Sequence, residues 1–252
     1  MVEFFDPQVP IAIDLLRYSK NIVAFTGAGS STPSGNDDFR SPGGLWEQFN
    51  PLKYANYTVF LKTPEFYWDL ERAMIPVFEK ARPNKAHIAL VDLEKKGNLK
   101  AIITQNIDNF HQDAGSKVPV IELHGNVHEV NCMDCHVSIK RSYIHKRLKM
   151  GDDVPKCPEC GGRVKPNVVL FNEPIVEDLL EKATFYAENC DLMLILGSSL
   201  SVFPANQLPL LARKAGAKLI FINRDPTFMD KYATLRILGE LETYLPFIIN
   251  SM

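Results

Sequence analysis

Asn21-Ile22-Val23-Ala24-Phe25 is a short apolar run rich in β-formers, and beyond Thr26 it stops at Gly27-Ala28-Gly29-Ser30-Ser31. A run that is apolar throughout and opens into a glycine turn reads as a buried parallel strand. Three more runs have the same shape: Lys100-Ala101-Ile102-Ile103-Thr104, Leu192-Met193-Leu194-Ile195-Leu196 and Lys218-Leu219-Ile220-Phe221-Ile222. They end in Gln105-Asn106-Ile107-Asp108, Gly197-Ser198-Ser199 and Asn223-Arg224-Asp225. Helical spacing recurs around them, over 11–20, 84–96 and 205–215. Alternating strands and helices predict an α/β, Rossmann-like doubly wound parallel sheet. Ligands of such sheets sit at the carboxyl ends of the strands, and all four polar clusters fall there.

Residues 130–165 differ in texture. They hold two CxxC pairs, Cys132/Cys135 and Cys157/Cys160, separated by 21 residues, together with a basic run and the turn Gly151-Asp152-Asp153. Each pair can aim two thiolates at one point, and four thiolates close a tetrahedral zinc site with no position left for a catalytic water. Cys157-Pro158-Glu159-Cys160-Gly161-Gly162 also has the turn residues a zinc knuckle needs. The spacing therefore predicts a small inserted zinc-ribbon module over 130–165, with 1–129 and 166–252 forming the larger domain. Cys135-His136 completes a CxxCH string of the kind that attaches haem, but the second CxxC already accounts for the cysteines. Cys190 reads as a buried small apolar residue.

The 252 residues are 46% hydrophobic and 23% charged, the balance of an ordinary globular chain. No apolar run approaches the roughly 18 residues of a membrane span, and Met1-Val2-Glu3-Phe4-Phe5-Asp6 lacks the basic-then-apolar pattern of a signal peptide. The net charge of −2 gives no electrostatic case for binding nucleic acid or a membrane surface. An odd count of five cysteines without a leader reads as metal binding plus a core thiol, in a cytoplasmic protein.

Gly27-x-Gly29-x-x-Thr32 is an incomplete dinucleotide fingerprint, without the third glycine. A tight turn and a phosphate loop both fit it. The strand before it favours the phosphate loop. About 20 residues on, where a dehydrogenase holds the ribose with an acidic residue, this chain has Ser41-Pro42-Gly43-Gly44-Leu45-Trp46, which is no strand. Hydride transfer is therefore disfavoured. Arg40, after Asp37-Asp38-Phe39, is placed to reach a phosphate or ribose.

Gly27-Ala28-Gly29-Ser30-Ser31-Thr32-Pro33-Ser34-Gly35, Asp38-Phe39-Arg40 and Gly44-Leu45-Trp46 together resemble the first motif of the sirtuins, the NAD-dependent protein deacylases. Thr104-Gln105-Asn106-Ile107-Asp108 resembles the second, and Leu123-His124-Gly125 the catalytic histidine motif. The cysteines match the zinc ribbon, and Pro166-Asn167-Val168-Val169-Leu170-Phe171-Asn172-Glu173 the substrate strand. Gly197-Ser198-Ser199-Leu200, Val202, Pro204-Ala205 and Ile222-Asn223 resemble the adenosine-side motifs. The resemblance runs in order from about residue 15 to 245.

It implies that Ala28, Thr32, Phe39 and Arg40 line the NAD loop, Phe39 closing over the nicotinamide pocket. Ile107 and Asp108 would hold the nicotinamide amide, Gln105 and Asn106 would face the ribose, and Asn106, with His124 a catalytic residue, would help orient the reactants near the reactive ribose carbon. Ser198, Ser199 and Asn223 would meet the phosphates and adenine ribose. Val169, Leu170 and Phe171 would wall an acyl-lysine tunnel and pair with the substrate backbone by strand addition. In the implied reaction the acyl oxygen attacks the ribose carbon bearing nicotinamide. His124 then takes a proton from a ribose hydroxyl, a task suited to a side chain with an ordinary pKa near 6.5. Nicotinamide, free lysine and O-acyl-ADP-ribose result. The same cleavage of NAD also serves ADP-ribosyl transfer to protein, the competing reading; a non-enzymatic NAD sensor is disfavoured by the intact His124, Asn106 and Asp108.

Three departures stand out: Asn36-Asp37 for the usual Ile-Pro, Asn172 for the glycine before Glu173, and Ser198 for a threonine. Relatives that take acidic acyl groups carry Tyr-x-x-Arg, whereas Tyr67 here is followed by Leu70, with Arg72 off register, so a neutral acyl group, acetyl first, is expected. His87, His111, His128, His136 and His145 read as non-catalytic. The basic run Lys140, Arg141, His145, Lys146, Arg147, Lys149 reads as a solvated face, with docking to an acidic or nucleic-acid-bound substrate as the minority reading.

Overall fold

The computed structural model describes residues 6–35 and 45–252. Its larger sheet has six parallel strands: β1 (Ile22–Thr26), β2 (Leu99–Thr104), β3 (Val120–Glu122), β7 (Leu192–Leu196), β8 (Lys218–Asn223) and β9 (Leu235–Leu238), in the order β3-β2-β1-β7-β8-β9. Counted within the sheet this is 3-2-1-4-5-6, the doubly wound order whose direction reverses between β1 and β7. The four runs read from sequence are its four central strands.

Every residue of β1 and β7 is buried, because helices cover both faces. Successive side chains alternate between the faces. Ile22, Ala24, Leu192 and Leu194 pack beneath the helices Val9–Tyr18, Lys85–Lys95 and Leu241–Asn250. Val23, Phe25, Met193 and Ile195 pack beneath Glu177–Glu188 and Leu208–Lys214. The expected helical stretches are thus present, and the first starts two residues early because Pro10 falls in its opening turn, where a missing N–H costs nothing.

A second, antiparallel sheet is built from β4 (Gly125–Cys132), β5 (Ser138–Lys140) and β6 (Val164–Val168), ordered β5-β4-β6. Its core is shared. Val130, Ile139, Ile144, Leu148 and Val164 pack with Phe60, Tyr67, Trp68 and Ile75 from the helices Tyr57–Lys62 and Glu65–Lys80. The ribbon segment does not fold on its own apolar surface; helices that follow the glycine turn in sequence cover it. The cleft opens between this small lobe and the carboxyl edge of the large sheet.

Candidate active site

At the switch between β1 and β7 two turns cross in contact. The Gly27 amide donates to the Leu196 carbonyl at 3.1 Å and the Gly29 amide to the Gly197 carbonyl at 2.8 Å. A Cβ on Gly197 would lie 2.3 Å from the Ser30 nitrogen, and one on Gly27 2.8 Å from the Ser198 Cβ. Gly197 is also left-handed, with φ +59°. These glycines are therefore demanded by backbone approach, not by a ligand touching them. Above the crossing lies a cleft of about 1000 Å³.

All the described residues expected at the NAD and substrate sites line this one cleft. Ala28 and Thr32 come from the first turn, Gln105, Asn106, Ile107 and Asp108 from the end of β2, and His124 from the link between β3 and β4. Val169, Leu170 and Phe171 follow β6, and Ser198, Ser199 and Asn223 follow β7 and end β8. Phe39, Arg40 and the Asn36-Asp37 departure lie outside the described residues.

His124 is oriented by the main chain. Its Nδ1 is 3.0 Å from the Gln105 carbonyl oxygen. A carbonyl only accepts, so Nδ1 carries the proton and Nε2 is the basic nitrogen. The Val169 amide donates to the His124 carbonyl at 2.8 Å, tying the histidine to the substrate side. Asn106 is clamped to the first turn: its Nδ2 reaches the Gly27 carbonyl at 3.1 Å and the Ser30 and Ser31 hydroxyls at 3.0 Å each. Gln105 Nε2 donates to Ser198 Oγ at 2.8 Å, bridging the ends of β2 and β7.

Behind Asn106 runs a buried polar chain that sequence reasoning did not find. The Asn106 amide and the Thr26 hydroxyl both donate to Thr104 Oγ1, at 3.0 and 2.8 Å, and Thr26 Oγ1 lies 3.0 Å from His111 Nε2. The His111 and His87 rings are 4.9 Å apart, and His87 Nδ1 accepts from the Asn84 amide at 3.2 Å. Asn84 in turn donates to the Ser30 carbonyl at 2.8 Å while capping the helix Lys85–Lys95. Burial pushes His87 down to about 4, and burial with the neighbouring His87 pushes His111 well below its ordinary value. Burial thus favours the neutral form of both rings. Residue types alone do not reveal the chain, because its members come from four separate segments.

Asp108 is half-buried. Burial raises its carboxyl against the hydrogen bonds from the Phe110 amide and Ser31. Asn223 offers the clearest ligand signature. Its Oδ1 accepts from the Ser198 amide at 2.9 Å, while its buried Nδ2 has no acceptor in the protein. A donor left open on the cleft wall at the switch point fits the hydroxyl-rich adenosine half of NAD.

The amides of Val169, Leu170 and Phe171 donate to the His124 carbonyl, Glu173 Oε2 and the Ala55 carbonyl, and the Phe171 carbonyl accepts from Tyr57. All three amides are therefore engaged within the fold, and pairing with another chain here would use carbonyl oxygens. Asn172 keeps the left-handed bend of the glycine it replaces, with φ +65°, a conformation asparagine tolerates. Ser198 keeps its hydroxyl in use, accepting from Gln105 and from the Leu200 amide.

The four ribbon thiols converge. Cys132 and Cys160 Sγ are 3.5 Å apart, Cys135 and Cys157 Sγ 3.7 Å, and all four lie within 4.8 Å of one another. These spacings exceed a disulfide's ~2.05 Å and approach the ~3.8 Å edge of a tetrahedron with Zn–S near 2.3 Å. The residue after each second cysteine, His136 and Gly161, is left-handed, so the two knuckles turn alike. Cys132, Cys135, Cys157 and Cys160 fit a structural zinc ion.

The basic run is not one solvated face. The helix Arg141–Lys149 places Arg141, Ile144 and Leu148 inward, at helical spacing. Arg141, only 3% exposed, lines the cleft and forks onto Glu71, and Tyr67 joins them. Sequence reasoning missed Glu71 and Arg141 because they are 70 positions apart.

The Sir2 family model matches residues 27–204. An "NAD-dependent protein deacetylase" of Caldivirga maquilingensis is 43% identical over 94% of this chain and 91% of its own length. An "NAD-dependent protein deacylase 2" of Archaeoglobus fulgidus is 40% identical over 98% and 97%. Among solved structures, that of Sir2Tm bound to a propionylated peptide superposes with a TM-score of 0.88 at 38% identity, covering 96% of this chain and 98% of that one. The ordered motifs therefore extend into a shared fold over nearly the whole length, and the chain belongs to the Sir2 family.

Proposed function

We propose that this chain is an NAD-dependent protein-lysine deacylase, releasing acetyl and related groups as O-acyl-ADP-ribose with nicotinamide and free lysine. The observation that carries the reading is His124, held in the cleft with Nδ1–H on the Gln105 carbonyl, which makes Nε2 the basic nitrogen. Its relatives' names and the acylated peptide bound by a neighbour support the same activity.

NAD, when bound, supplies an electrophilic ribose carbon and a leaving nicotinamide. The residues of this chain do the rest. Asn223, Ser198 and Ser199 hold the adenosine half, with Ala28, Thr32, Phe39 and Arg40 about the loop. Ile107 and Asp108 hold the nicotinamide amide, and the raised Asp108 carboxyl suits a buried group that shares hydrogen bonds. Gln105 and Asn106 fix the ribose, Asn106 being rigid because three acceptors grip its amide. His124 Nε2 takes the hydroxyl proton, and Nδ1 shares the charge that develops with the Gln105 carbonyl. Val169, Leu170 and Phe171 wall the acyl-lysine channel. The zinc-bearing segment 130–165 is the smaller module inserted between 1–129 and 166–252, and the helices of 51–80 pack on it. No described helix is long and apolar enough to cross a membrane. Reduced, metal-spaced thiols and the free Cys190 support a cytoplasmic location.

The test follows an acetyl-lysine peptide by mass spectrometry, with and without NAD, for wild type and His124→Ala. NAD-dependent loss of acetyl with O-acetyl-ADP-ribose appearing is expected. The variant should fall by roughly 10²–10⁴-fold while still binding NAD. Label from NAD retained on denatured protein, without deacylation, would overturn this in favour of ADP-ribosyl transfer.

A further inference from the structure

The small lobe contributes a distinct part of the cleft wall. Leu70, Met74, Phe78, Ile107 and Leu170 make it apolar, and Tyr67, Glu71 and Arg141 make its one charged floor. Glu71 and Arg141, 2% and 3% exposed, are the only buried Asp, Glu, Lys or Arg side chains among the described residues. Arg141 donates through Nε and Nη2 to the two Glu71 oxygens. The Tyr67 hydroxyl donates to Oε2 at 3.1 Å, and His145 Nε2 lies 2.7 Å from Oε1. Phe78 stacks near the guanidinium, 4.8 Å from ring centroid to Cζ. Arg141 Nη1 is buried and has no acceptor.

Stability alone does not account for this group. A buried ion pair can usually be replaced by apolar residues of similar volume at no loss. An unmet donor on a buried cation carries a further cost. What is missing is one acceptor, and the occupant of the cleft is the source the fold does not already provide. Arg72, the arginine nearest Tyr67 in sequence, is not that group; it pairs with Asp69 and Asp153 at the surface.

We propose that this floor selects acyl groups ending in a neutral hydrogen-bond acceptor, such as a hydroxyl or keto oxygen, received by Arg141. The proposal rests on the deacylase reading above. Glu71 already fills the guanidinium fork, so a second carboxylate would share one cation with a like charge. A plain alkyl chain would cover the polar floor and satisfy nothing, and sites built for a polar group discriminate strongly against analogues that lack it. The Tyr67 and His145 contacts to Glu71 keep the carboxylate, and through it the guanidinium, in place.

The experiment measures kcat/KM on one peptide sequence carrying acetyl, butyryl, 3-hydroxybutyryl, 4-hydroxybutyryl, hexanoyl, 6-hydroxyhexanoyl or succinyl lysine. At the chain length that reaches Arg141, the hydroxylated group should exceed its parent by about tenfold, and succinyl should fall below it. Arg141→Lys, which keeps the charge but loses the fork, should erase that advantage. The double variant Glu71→Met/Arg141→Met should reverse it in favour of the alkyl chain, zinc content and melting temperature reporting its fold. Acetyl turnover with no hydroxyl advantage at any length overturns the proposal and leaves the deacylase reading standing. So does an advantage that survives Arg141→Lys, or succinyl as the fastest substrate. No NAD-dependent turnover of any peptide overturns both.

Discussion

In the sheet lobe whole strands vanish from solvent: β1 and β7 have no exposed residue, and among the described residues no Asp, Glu, Lys or Arg there is buried. In the small lobe β4 and β5 each keep exposed positions, the sheet has three strands, and the core includes thiols and the Glu71–Arg141 pair. Six strands covered on both faces bury enough apolar surface to hold themselves. Three strands, two of them with exposed positions, do not, so the small lobe is stapled by metal ligands and leans on the helices of 51–80. The side chains proposed as catalytic, His124 and Asn106, lie at the ends of β3 and β2 on the self-sufficient lobe, and the groups proposed to shape the acyl channel sit on the stapled one.

Removing zinc should separate the two most sharply. Structural zinc sites carry on the order of 10 kcal/mol of apparent folding free energy. Chelation, or Cys157→Ser, is expected to abolish deacylation and strip hydrogen-exchange protection from β4, β5 and β6 while β1 and β7 stay protected. Loss of protection in both lobes together would erase the distinction drawn here.

The sheet lobe breaks at its own weak point, the crossing of the turns. Gly197→Ala places a Cβ on the Ser30 nitrogen at a left-handed position. Strain and overpacking together should cost about 4 kcal/mol. NAD affinity should fall with the melting temperature, and zinc content should not.

Acid should weaken the sheet lobe through its histidine pair. His87 has a folded pKa of about 4, below its unfolded value of 6.5. The unfolded chain therefore binds more protons between these limits, and stability falls as pH drops from 6.5 towards 4, then levels. The loss is on the order of 3 kcal/mol for His87 alone, with His111 acting in the same direction. Urea titrations across that window measure it; a stability flat from pH 6.5 to 4 would contradict the neutral, buried pair. Glu71 works in the other window. Burial alone would raise its carboxyl, but Arg141 and His145 hold it at about 2. Its contribution is present above about 4.5 and is lost as pH falls through 2.

The smallest effect concerns the chain behind Asn106. Thr26→Val keeps shape and removes one hydroxyl, leaving His111 Nε2 and Thr104 Oγ1 short of a partner. About 1 kcal/mol is expected, read as a several-fold higher KM for NAD with the peptide KM unchanged. Thr26→Ser should restore the wild-type value.

Much of the site was legible because its signals are local. Strand runs, glycine turns and CxxC pairs each lie within a few residues, and the ordered motifs pointed, without reference to contacts, to His124, Asn106 and the other residues that line the cleft. Arg141 shows where that ends. In a basic run its charge reads as solvated, and only helical phase together with Glu71 on a distant helix turns it inward. Val169–Phe171 shows a second limit: the stretch was legible as a strand, but not that Phe171 pairs with 55–57 while the Val169 amide reaches the His124 carbonyl.

The sequence by itself determined the class of the fold and the cysteine quartet that fits zinc, since periodicity and spacing are properties of neighbours along the chain, and its ordered Sir2-family motifs pointed to the residues proposed to face NAD. Tertiary structure alone decided the strand order that brings Gly29 onto Gly197, the tautomer of His124, the polar chain from Asn84 to Asn106 and the partner of Arg141. Each is a contact between segments far apart in sequence, fixed by which surfaces bury each other and by the hydrogen-bond partners that burial then requires.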